Sequence, residues 1–430
     1  MNLFLRSLYI FGMGLAGLVL AAVPVPLKFG FDPATAKGEM RLVSPGDVYS
    51  KDRGHGFEPG LEVKSVPGGV MGSPAFYFTT DLPEGNWRVK VTLRGVPGGG
   101  LAAVKAELRR LMLGPVKLAE GKKLEQEFFV NTRSHRIAAR NGVAAGEVKL
   151  KAPRETTQEA WAWDERLTLE IHGAVLAALE ITPARVPTVF LLGDSTVCDQ
   201  SREPFNSWGQ MLTRFFKPTV AIANHGESGE TYRDSIGRRR LDKVISVMQP
   251  GDTLFMQFGH NDQKQVAAGT GGPFTTYAEE MKAHIAAVRR AGGIPVVLSP
   301  MERRGFDAAG KVVPSLADYA RAARETAAAE RVAFIDLNAR SIPLYEALGP
   351  EASAQAFAAP GGKVDNTHHN NYGSYELARC VAQGIVDAKL PLARELIREF
   401  RKFDPARPDA PQAFAVPPSP HFTNQRPLGD

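Results

Sequence analysis

A chain of 430 residues is long for one hydrophobic core, and its 43% hydrophobic and 23% charged residues are ordinary for a globular protein of two domains. The net charge of +6 is spread along the chain, and the basic cluster 238–240 is interpreted as a solvated helix face, so we expect no nucleic-acid partner. With only Cys198 and Cys380, a disulfide scaffold is excluded. Two buried thiols are expected, and a single bridge between them is the alternative.

The chain begins with a segment typical of an export signal. Arg6 precedes an uncharged apolar stretch, 8–23, which ends in the small residues Ala21 and Ala22 before Pro24. This stretch is short for a membrane span, so we predict a signal peptide over residues 1–22. The mature protein would then be periplasmic or secreted, without stable membrane insertion. An uncleaved N-terminal anchor is the alternative.

Residues 23–184 follow a β-like pattern. Alternating or β-branched runs are separated by turn signals such as Pro83-Glu84-Gly85, and no long helix is indicated. Short strands at this spacing predict an all-β sandwich domain. The predicted strands include 76–80, 86–93, 123–130 and 167–171.

Strands and helices alternate from residue 185 to residue 400. This rhythm predicts an α/β domain whose parallel sheet is covered by helices on both faces, with a site at the carboxyl ends of its strands. Strands are predicted over 188–192, 220–223, 253–257, 295–298 and 332–335, and helices over 207–216, 234–248, 276–290, 316–330 and 374–388. Proline then recurs, so residues 401–430 are expected to form an extended or disordered tail.

The first predicted strand of the α/β domain leads to a candidate nucleophile. The strand stops at Gly193, and Ser195 follows two residues later. A strand that ends in a tight turn can lift a serine hydroxyl to the rim of the sheet, and a helix that begins nearby can aim backbone N–H groups at the same point.

A serine nucleophile needs a base, and four of the nine histidines lie on loops beside strands or helices. They are His225, His260, His368 and His369. His368 is favoured because Asp365 precedes it by three residues in the last loop before the last helix. The carboxylate can accept the Nδ1–H and leave Nε2 facing the serine. His369 is interpreted as a surface residue.

Two further strand ends can supply donors for an oxyanion. Gly229 lacks a side chain and could bring its backbone N–H close to a substrate, and Asn261 could aim its side-chain amide there. Serine, glycine, asparagine and histidine then arrive in order on successive strand ends, as one acyl-transfer site requires.

Two alternatives remain open at this point. Ser228 is a rival nucleophile, but it lacks the Gly-x-Ser-x-Gly elbow. A metal site could be built from His225, His260, His368 and Asp262, although their spacing differs from that of zinc motifs. We expect neither a metal nor another cofactor.

Together the four blocks resemble the SGNH, or GDSL-type, hydrolase family over residues 187–392. They are Gly193-Asp194-Ser195, Gly229, Gly259 to Asp262, and Asp365 to His368. The segments GDSTVCD, QFGHND and DNTHHNNYG are most similar to those of rhamnogalacturonan acetylesterases. The resemblance implies a flavodoxin-like α/β/α fold and a metal-free esterase.

The resemblance also implies roles for individual residues. Ser195 would be the nucleophile, His368 the base and acid, and Asp365 its partner. The backbone N–H groups of Ser195 and Gly229, with the Asn261 side chain, would form the oxyanion hole. Residues 29–58, with VYSKDRGHGFE, are similar to the β-sandwich that precedes the catalytic domain in bacterial members, and such sandwiches resemble galactose-binding modules. Position 230 departs from some relatives, which carry a basic residue where this chain has glutamate.

The leading hypothesis is therefore an exported carbohydrate esterase that removes acetyl groups from pectic or related polysaccharides through an acyl-enzyme. One alternative is a lipid or thioester hydrolase, although the sequence shows no long apolar lid near the site. Another is a carbohydrate-binding protein with a dead catalytic domain, although all four blocks are intact.

Overall fold

The computed structural model describes residues 26–400 and 402–427. The predicted signal peptide, residues 1–22, lies outside the described residues. Among the helices that are described, none has the length and apolar character needed to cross a membrane.

The β-rich half, residues 26–184, consists mainly of a seven-stranded sheet and a five-stranded sheet. Its strands are β1 Leu27–Gly30, β2 Arg41–Leu42, β3 His55–Phe57, β4 Val63–Val66, β5 Gly69–Gly72, β6 Ala75–Asp81, β7 Gly85–Gly95, β8 Gly100–Ala106, β9 Arg110–Leu118, β10 Lys123–Thr132, β11 Arg136–Ile137, β12 Gly146–Glu147, β13 Arg166–His172 and β14 Ala174–Pro183. One sheet has the order β10-β7-β14-β1-β2, with β5 also beside β14 and β4 beside β5. The other has the order β3-β6-β13-β8-β9, and β11 pairs with β12.

The core of this half lies between the two large sheets. Along β7, Trp87, Val89, Val91 and Leu93 are buried and alternate with more exposed residues, the period of a strand that is covered on one face. They share one apolar cluster with residues of the opposite sheet, such as Phe76 on β6. The predicted all-β sandwich is therefore confirmed, whereas its likeness to galactose-binding modules stays a prediction.

The α/β half, residues 185–400, is built on a parallel sheet of order β16-β15-β17-β18-β19. Its strands are β15 Thr188–Gly193, β16 Ala221–Asn224, β17 Thr253–Gln257, β18 Ile294–Leu298 and β19 Ala333–Ile335. Its helices are α1 Trp208–Leu212, α2 Tyr232–Gly237, α3 Arg240–Val247, α4 Gln263–Ala267, α5 Ala278–Arg290, α6 Ala317–Ala329, α7 Leu337–Ala352 and α8 Asn371–Asp387. Short helical turns cover 154–158, 160–162, 213–215, 273–277, 353–356, 360–362, 391–395 and 411–413.

Both faces of this sheet are covered. Val189 and Leu191 pack in one cluster with Trp208 of α1 and with residues of α7 and α8, whereas Phe190 and Leu192 pack in the other with residues of α2, α3, α5 and α6. A strand that is buried on both faces is apolar throughout, as the run 189–192 is. The predicted three-layer α/β/α fold is confirmed.

Two local expectations are wrong. The helix predicted over 234–248 is two helices, because Arg239 between them has a φ of 61°. Arg240, interpreted as solvated, has only 1% of its side chain exposed and makes a bidentate ion pair with Glu155 of the β-rich half. Helix α7 was not predicted; Pro343 and Pro350 weaken its helical signal, because proline is unfavourable inside helices.

The tip of the β8–β9 hairpin joins the two halves. Arg110 Nε donates to Asp199 Oδ2 at 2.8 Å, and its Nη2 forms an ion pair with the same oxygen at 2.7 Å. Arg109 donates to the carbonyl oxygen of Phe205 at 2.7 Å. Gln210 of α1 donates to the carbonyl oxygen of Leu108 at 2.6 Å. All six of these residues are buried. Because a buried guanidinium is stable only when it is paired, these contacts fix the chain that follows β15 against the β-rich half.

The tail, residues 402–427, follows an extended path over both halves, with a short helix at Pro411–Ala413. Cys198 and Cys380 are buried free thiols.

Candidate active site

The turn after β15 places Ser195 at the carboxyl end of the sheet. A Cβ atom on Gly193 would lie 2.4 Å from the carbonyl oxygen of Gln257 and 2.5 Å from Val197 Cγ2, so a side chain cannot be accommodated there. Asp194 Oδ1 accepts the backbone N–H of Thr196 at 2.9 Å and closes the turn. The glycine of the first sequence block is therefore required by the close approach of β17.

Ser195, His368 and Asp365 lie in one hydrogen-bonded chain. Ser195 Oγ is 2.9 Å from His368 Nε2, and His368 Nδ1 is 3.1 Å from Asp365 Oδ2. The other carboxylate oxygen, Oδ1, accepts the backbone N–H groups of Thr367 at 2.7 Å and His368 at 3.0 Å. The structure thus brings together a hydroxyl and an imidazole that are 173 residues apart along the chain.

The Asp365 carboxylate determines which nitrogen of the His368 ring carries the proton. Burial alone would raise the pKa of Asp365, but hydrogen bonds from the His368 ring and backbone, and from the Thr367 N–H, lower the pKa below its ordinary value. An ionised Asp365 accepts the Nδ1–H, which leaves Nε2 free to accept the Ser195 hydroxyl proton. Phe205 packs edge-on against the His368 ring, with centroids 5.8 Å apart.

The predicted oxyanion donors lie on two adjoining loops. Gly229 has a φ of 74°, a left-handed conformation that favours glycine. The Asn261 amide donates to the carbonyl oxygen of Glu230 at 3.1 Å, and since an amide nitrogen carries two hydrogens, one remains for a ligand. Gln200 links the Gly229 loop to the Ser195 turn, because its Nε2 donates to the Ser195 carbonyl oxygen at 2.7 Å and to Ser228 Oγ at 3.3 Å.

Side chains of the β-rich half hold the loop that carries Gly229. Lys151 donates to the carbonyl oxygen of Ser228 and lies 2.7 Å from Glu230 Oε1. Arg154 donates to Ser228 Oγ at 2.7 Å and pairs with Glu227 at 3.2 Å. Sequence reasoning did not find these two cations, because nothing in the local pattern around residues 151–154 indicates a contact with a loop more than 70 residues away.

Glu230, the departure from some relatives, faces the protein interior. Its side chain is fully buried, and burial raises its pKa even though Arg240 and Lys151 lie close to it. It pairs with Lys151 at 2.7 Å and lies 3.6 Å from Arg240 Nε. Glu230 therefore stabilises the contact between the two halves and is not positioned to contact a substrate.

The other candidate histidines have different partners. His260 Nδ1 lies 3.1 Å from Asp194 Oδ2, and its Nε2 lies 3.0 Å from the carbonyl oxygen of Met301. The interpretation of His369 as a surface residue is wrong: it is buried, its Nε2 is 2.8 Å from the Tyr345 hydroxyl, and burial lowers its pKa to about 3. His225 is also buried, and burial followed by the nearby cations lowers its pKa well below the ordinary value.

The rival arrangements differ from what their chemistry needs. Ser228 Oγ contacts Arg154, Gln200 and Cys198 Sγ, the last at 3.4 Å, and none of these is a general base for a serine. Within residues 26–400 and 402–427, no group of three His, Cys, Asp or Glu side chains has the arrangement of a metal site. Asp262 instead accepts the backbone N–H groups of Gly259 at 3.0 Å and Tyr232 at 3.3 Å.

Comparison with known proteins shows that the part of the chain carrying Ser195, Asp365 and His368 matches a known family. Residues 191–374 match the GDSL-like lipase/acylhydrolase family. The rhamnogalacturonan acetylesterase RhgT of Bacillus subtilis is 36% identical over 220 residues, which cover 49% of this chain and 94% of that protein. The rhamnogalacturonan acetylesterase of Emericella nidulans is 24% identical over 250 residues, 52% of this chain and 95% of that protein.

A further relative spans both halves. The uncharacterized esterase YxiM of Bacillus subtilis is 24% identical over 386 residues, 85% of this chain and 92% of that protein. Its crystal structure covers 85% of this chain and 99% of its own, with 22% identity and a TM-score of 0.46.

The contact of Lys151 with the Gly229 loop gives a testable prediction. Lys151→Met should lower kcat for nitrophenyl acetate about tenfold or more, because a loop displaced by a fraction of an ångström would misplace the Gly229 N–H, the predicted oxyanion donor. Lys149→Met, an exposed lysine two residues earlier, should keep the kcat of the parent. An unchanged kcat in the Lys151 variant would show that the loop does not need this contact.

Proposed function

This chain belongs to the GDSL-like lipase/acylhydrolase family and is a carboxylic ester hydrolase, and from this premise we propose that it removes acetyl groups from a pectic polysaccharide. The hydrolysis proceeds through an acetyl-enzyme on Ser195. The observation that carries the proposal is the hydrogen-bonded chain from Ser195 Oγ to His368 Nε2, 2.9 Å, and from His368 Nδ1 to Asp365 Oδ2, 3.1 Å.

Each member of the chain has a role in the proposed mechanism. His368 Nε2 accepts the hydroxyl proton as Ser195 Oγ attacks the ester carbonyl, and the resulting imidazolium is stabilised by Asp365. His368 then returns the proton to the leaving sugar oxygen, which leaves an acetyl ester on Ser195. Water then attacks that ester with His368 again acting as base, which releases acetate and regenerates the free serine.

The developing oxyanion is bound by three donors in this proposal. They are the backbone N–H groups of Ser195 and Gly229 and the side-chain amide of Asn261. Donors that are fixed before the reaction stabilise the transition state without reorganisation. The contacts of Asn261 with Glu230 and of Lys151 with Ser228 support such a fixed arrangement.

The low solvent exposure of Ser195 and His368 supports a short acyl group. Only 3% of Ser195 and 2% of His368 is exposed to solvent. A long acyl chain would need an apolar channel leading to this serine, whereas acetyl needs almost no depth. The relatives RhgT and the Emericella nidulans protein, both named rhamnogalacturonan acetylesterases, support the same acyl group.

An acidic polysaccharide is supported by a groove of about 270 Å³ beside Phe205, the residue that packs on the His368 ring. Its walls carry four cationic side chains, Lys151, Arg154, Arg202 and Arg426. Three of them are already paired with carboxylates, but Arg202 is exposed and makes no ion pair with any described residue. A uronate carboxylate on the sugar next to the acetylated one would complement Arg202.

The proposed setting is the periplasm or the extracellular space, where such polymers are met, after removal of residues 1–22. N-terminal sequencing of the mature protein tests this part alone. A new N-terminus near Ala22 is expected, and an intact Met1 would contradict export by cleavage.

The nucleophile and one oxyanion donor can be tested by substitution. Ser195→Ala should nearly abolish hydrolysis of an acetyl ester, and Asn261→Ala should lower kcat about a hundredfold, the usual loss for one oxyanion donor. Ser228→Ala serves as the control for the rival serine and should retain hydrolysis. Normal turnover by the Ser195 variant would overturn the mechanism.

The substrate class can be tested with acetate release from acetylated pectins and xylans, alongside short- and long-chain nitrophenyl esters. We expect faster release from pectin than from xylan, and hydrolysis of acetyl but not of long-chain esters. Arg202→Ala should raise KM for the pectic substrate about two- to fivefold, as expected for one exposed ion pair, and leave nitrophenyl acetate unaffected. Preference for xylan or for long acyl chains would contradict this assignment.

A further inference from the structure

The tail contacts the Asp365–His368 pair from outside the four sequence blocks. Arg426 Nε donates to Asp365 Oδ2 at 2.8 Å, and Arg426 Nη2 forms an ion pair with the same oxygen at 2.7 Å. The same oxygen lies 3.1 Å from His368 Nδ1, so the arginine and the imidazole share one carboxylate oxygen. The Asp365 side chain is fully buried, whereas 47% of the Arg426 side chain is exposed.

The tail reaches this point after being held on helix α8. The Tyr372 hydroxyl donates to the carbonyl oxygen of Asp409 at 2.6 Å, and Arg379 pairs with the Asp409 carboxylate at 2.8 Å. Phe414 then packs against the rings of Tyr372 and Tyr375, with centroids 5.8 and 5.4 Å away.

Beyond Phe414 the tail crosses to the β-rich half. Ser419 Oγ donates to Glu170 Oε2 at 2.9 Å and accepts from Lys105 Nζ at 2.7 Å, and all three side chains are buried. His421 stacks on Tyr77 with centroids 5.6 Å apart and the ring planes 7° from parallel. These polar contacts are specific, because a buried hydroxyl between a lysine and a glutamate is stable in only one placement of the tail.

The tail finally returns to the α/β half along the loop that follows the serine turn. Glu203 donates its backbone N–H to the carbonyl oxygen of His421 at 2.8 Å, and Thr423 donates its own to the carbonyl oxygen of Glu203 at 2.7 Å. Asn424 Oδ1 accepts the backbone N–H of Gly361 at 3.1 Å. This pairing directs the next residues to the loop that carries the base.

We propose that Arg426 is a positioning residue for the Asp365–His368 pair, and that the tail is a strap through which both halves of the molecule act on the base. The inference rests on the proposed roles of Ser195, His368 and Asp365. It adds to them a group that acts on the base through Asp365 and does not contact the reacting atoms.

Arg426 acts on the base in two ways. Its guanidinium holds Asp365 Oδ2 beside His368 Nδ1, which keeps Nε2 directed at Ser195. Its positive charge also opposes protonation of His368, because a nearby like charge disfavours the charged form. The base therefore stays neutral, and active, at lower pH than it would without the arginine.

Other charged or titratable groups also lie near the pair. They are Arg303, which contacts the Thr367 hydroxyl, Lys363 on the preceding loop, the neutral His369, and the Asp194–His260 pair of the serine turn. The Arg426→Ala variant keeps all of these groups, so the variant and the parent differ by one charge near the pair.

The test compares Arg426→Ala with the full-length parent chain. The pH dependence of kcat/KM for nitrophenyl acetate and of Ser195 inactivation by a fluorophosphonate should both show an acid limb that moves to higher pH by roughly half a unit to one unit. Arg426→Lys keeps the charge and should leave the acid limb close to that of the parent. High salt should reduce the difference, since the guanidinium is half exposed.

Arg407→Ala is the matched control, because Arg407 lies in the same tail, is 87% exposed and pairs only loosely with Asp404, at 3.8 Å. Its pH profile should superimpose on that of the parent. An Arg426→Ala profile that keeps the parent's acid limb, whether or not the rate falls uniformly, would overturn the inference. Failure of the fluorophosphonate to label Ser195 in the parent would instead overturn the proposed function.

Discussion

The hydrogen bond between Ser195 Oγ and His368 Nε2, 2.9 Å long, is the constraint on which the rest of the structure depends. It requires the end of β15 and the loop before α8, which are far apart along the sequence, to be placed relative to each other within a few tenths of an ångström. The parallel sheet does this by bringing its carboxyl ends to one edge. Asp365 completes the arrangement, since its other oxygen is fixed by two backbone N–H groups and the carboxylate cannot rotate away from the ring.

Side chains of the β-rich half also help to hold the loops that carry Ser195 and Gly229. The β8–β9 hairpin pairs Arg110 with Asp199, next to the serine turn, and the 151–154 segment holds the loop that carries Gly229. Arg110 pairs with Asp199, Lys151 with Glu230 and Arg154 with Glu227, and these charged side chains are buried or nearly so. Such pairs add little net stability, but misplacing one leaves an uncompensated charge, so they restrict the two halves to one alignment. The half that carries no proposed catalytic side chain therefore determines the geometry of the half that does.

Much of this was predictable because the signals are local. The apolar run before Gly193, the alternating strands and helices, and the Asp-x-x-His spacing each predict an element or turn that the structure contains. What could not be predicted depends on distant contacts. Arg240 belongs to a basic cluster that predicts a solvated helix face. It is nevertheless buried, because Glu155 of the other half neutralises its charge. His369 is buried beside Tyr345, and nothing around position 369 in the sequence indicates that helix α7 covers it.

The central claim is that the acyl group is carried by the serine that meets His368. The most direct measurement is mass spectrometry of peptides from a reaction with an acetylated oligosaccharide that is quenched in acid during turnover. The account predicts acetyl on the peptide that contains Ser195, at the serine oxygen. Acetyl found on Ser228 or on another side chain, with Ser195 unmodified, would contradict it.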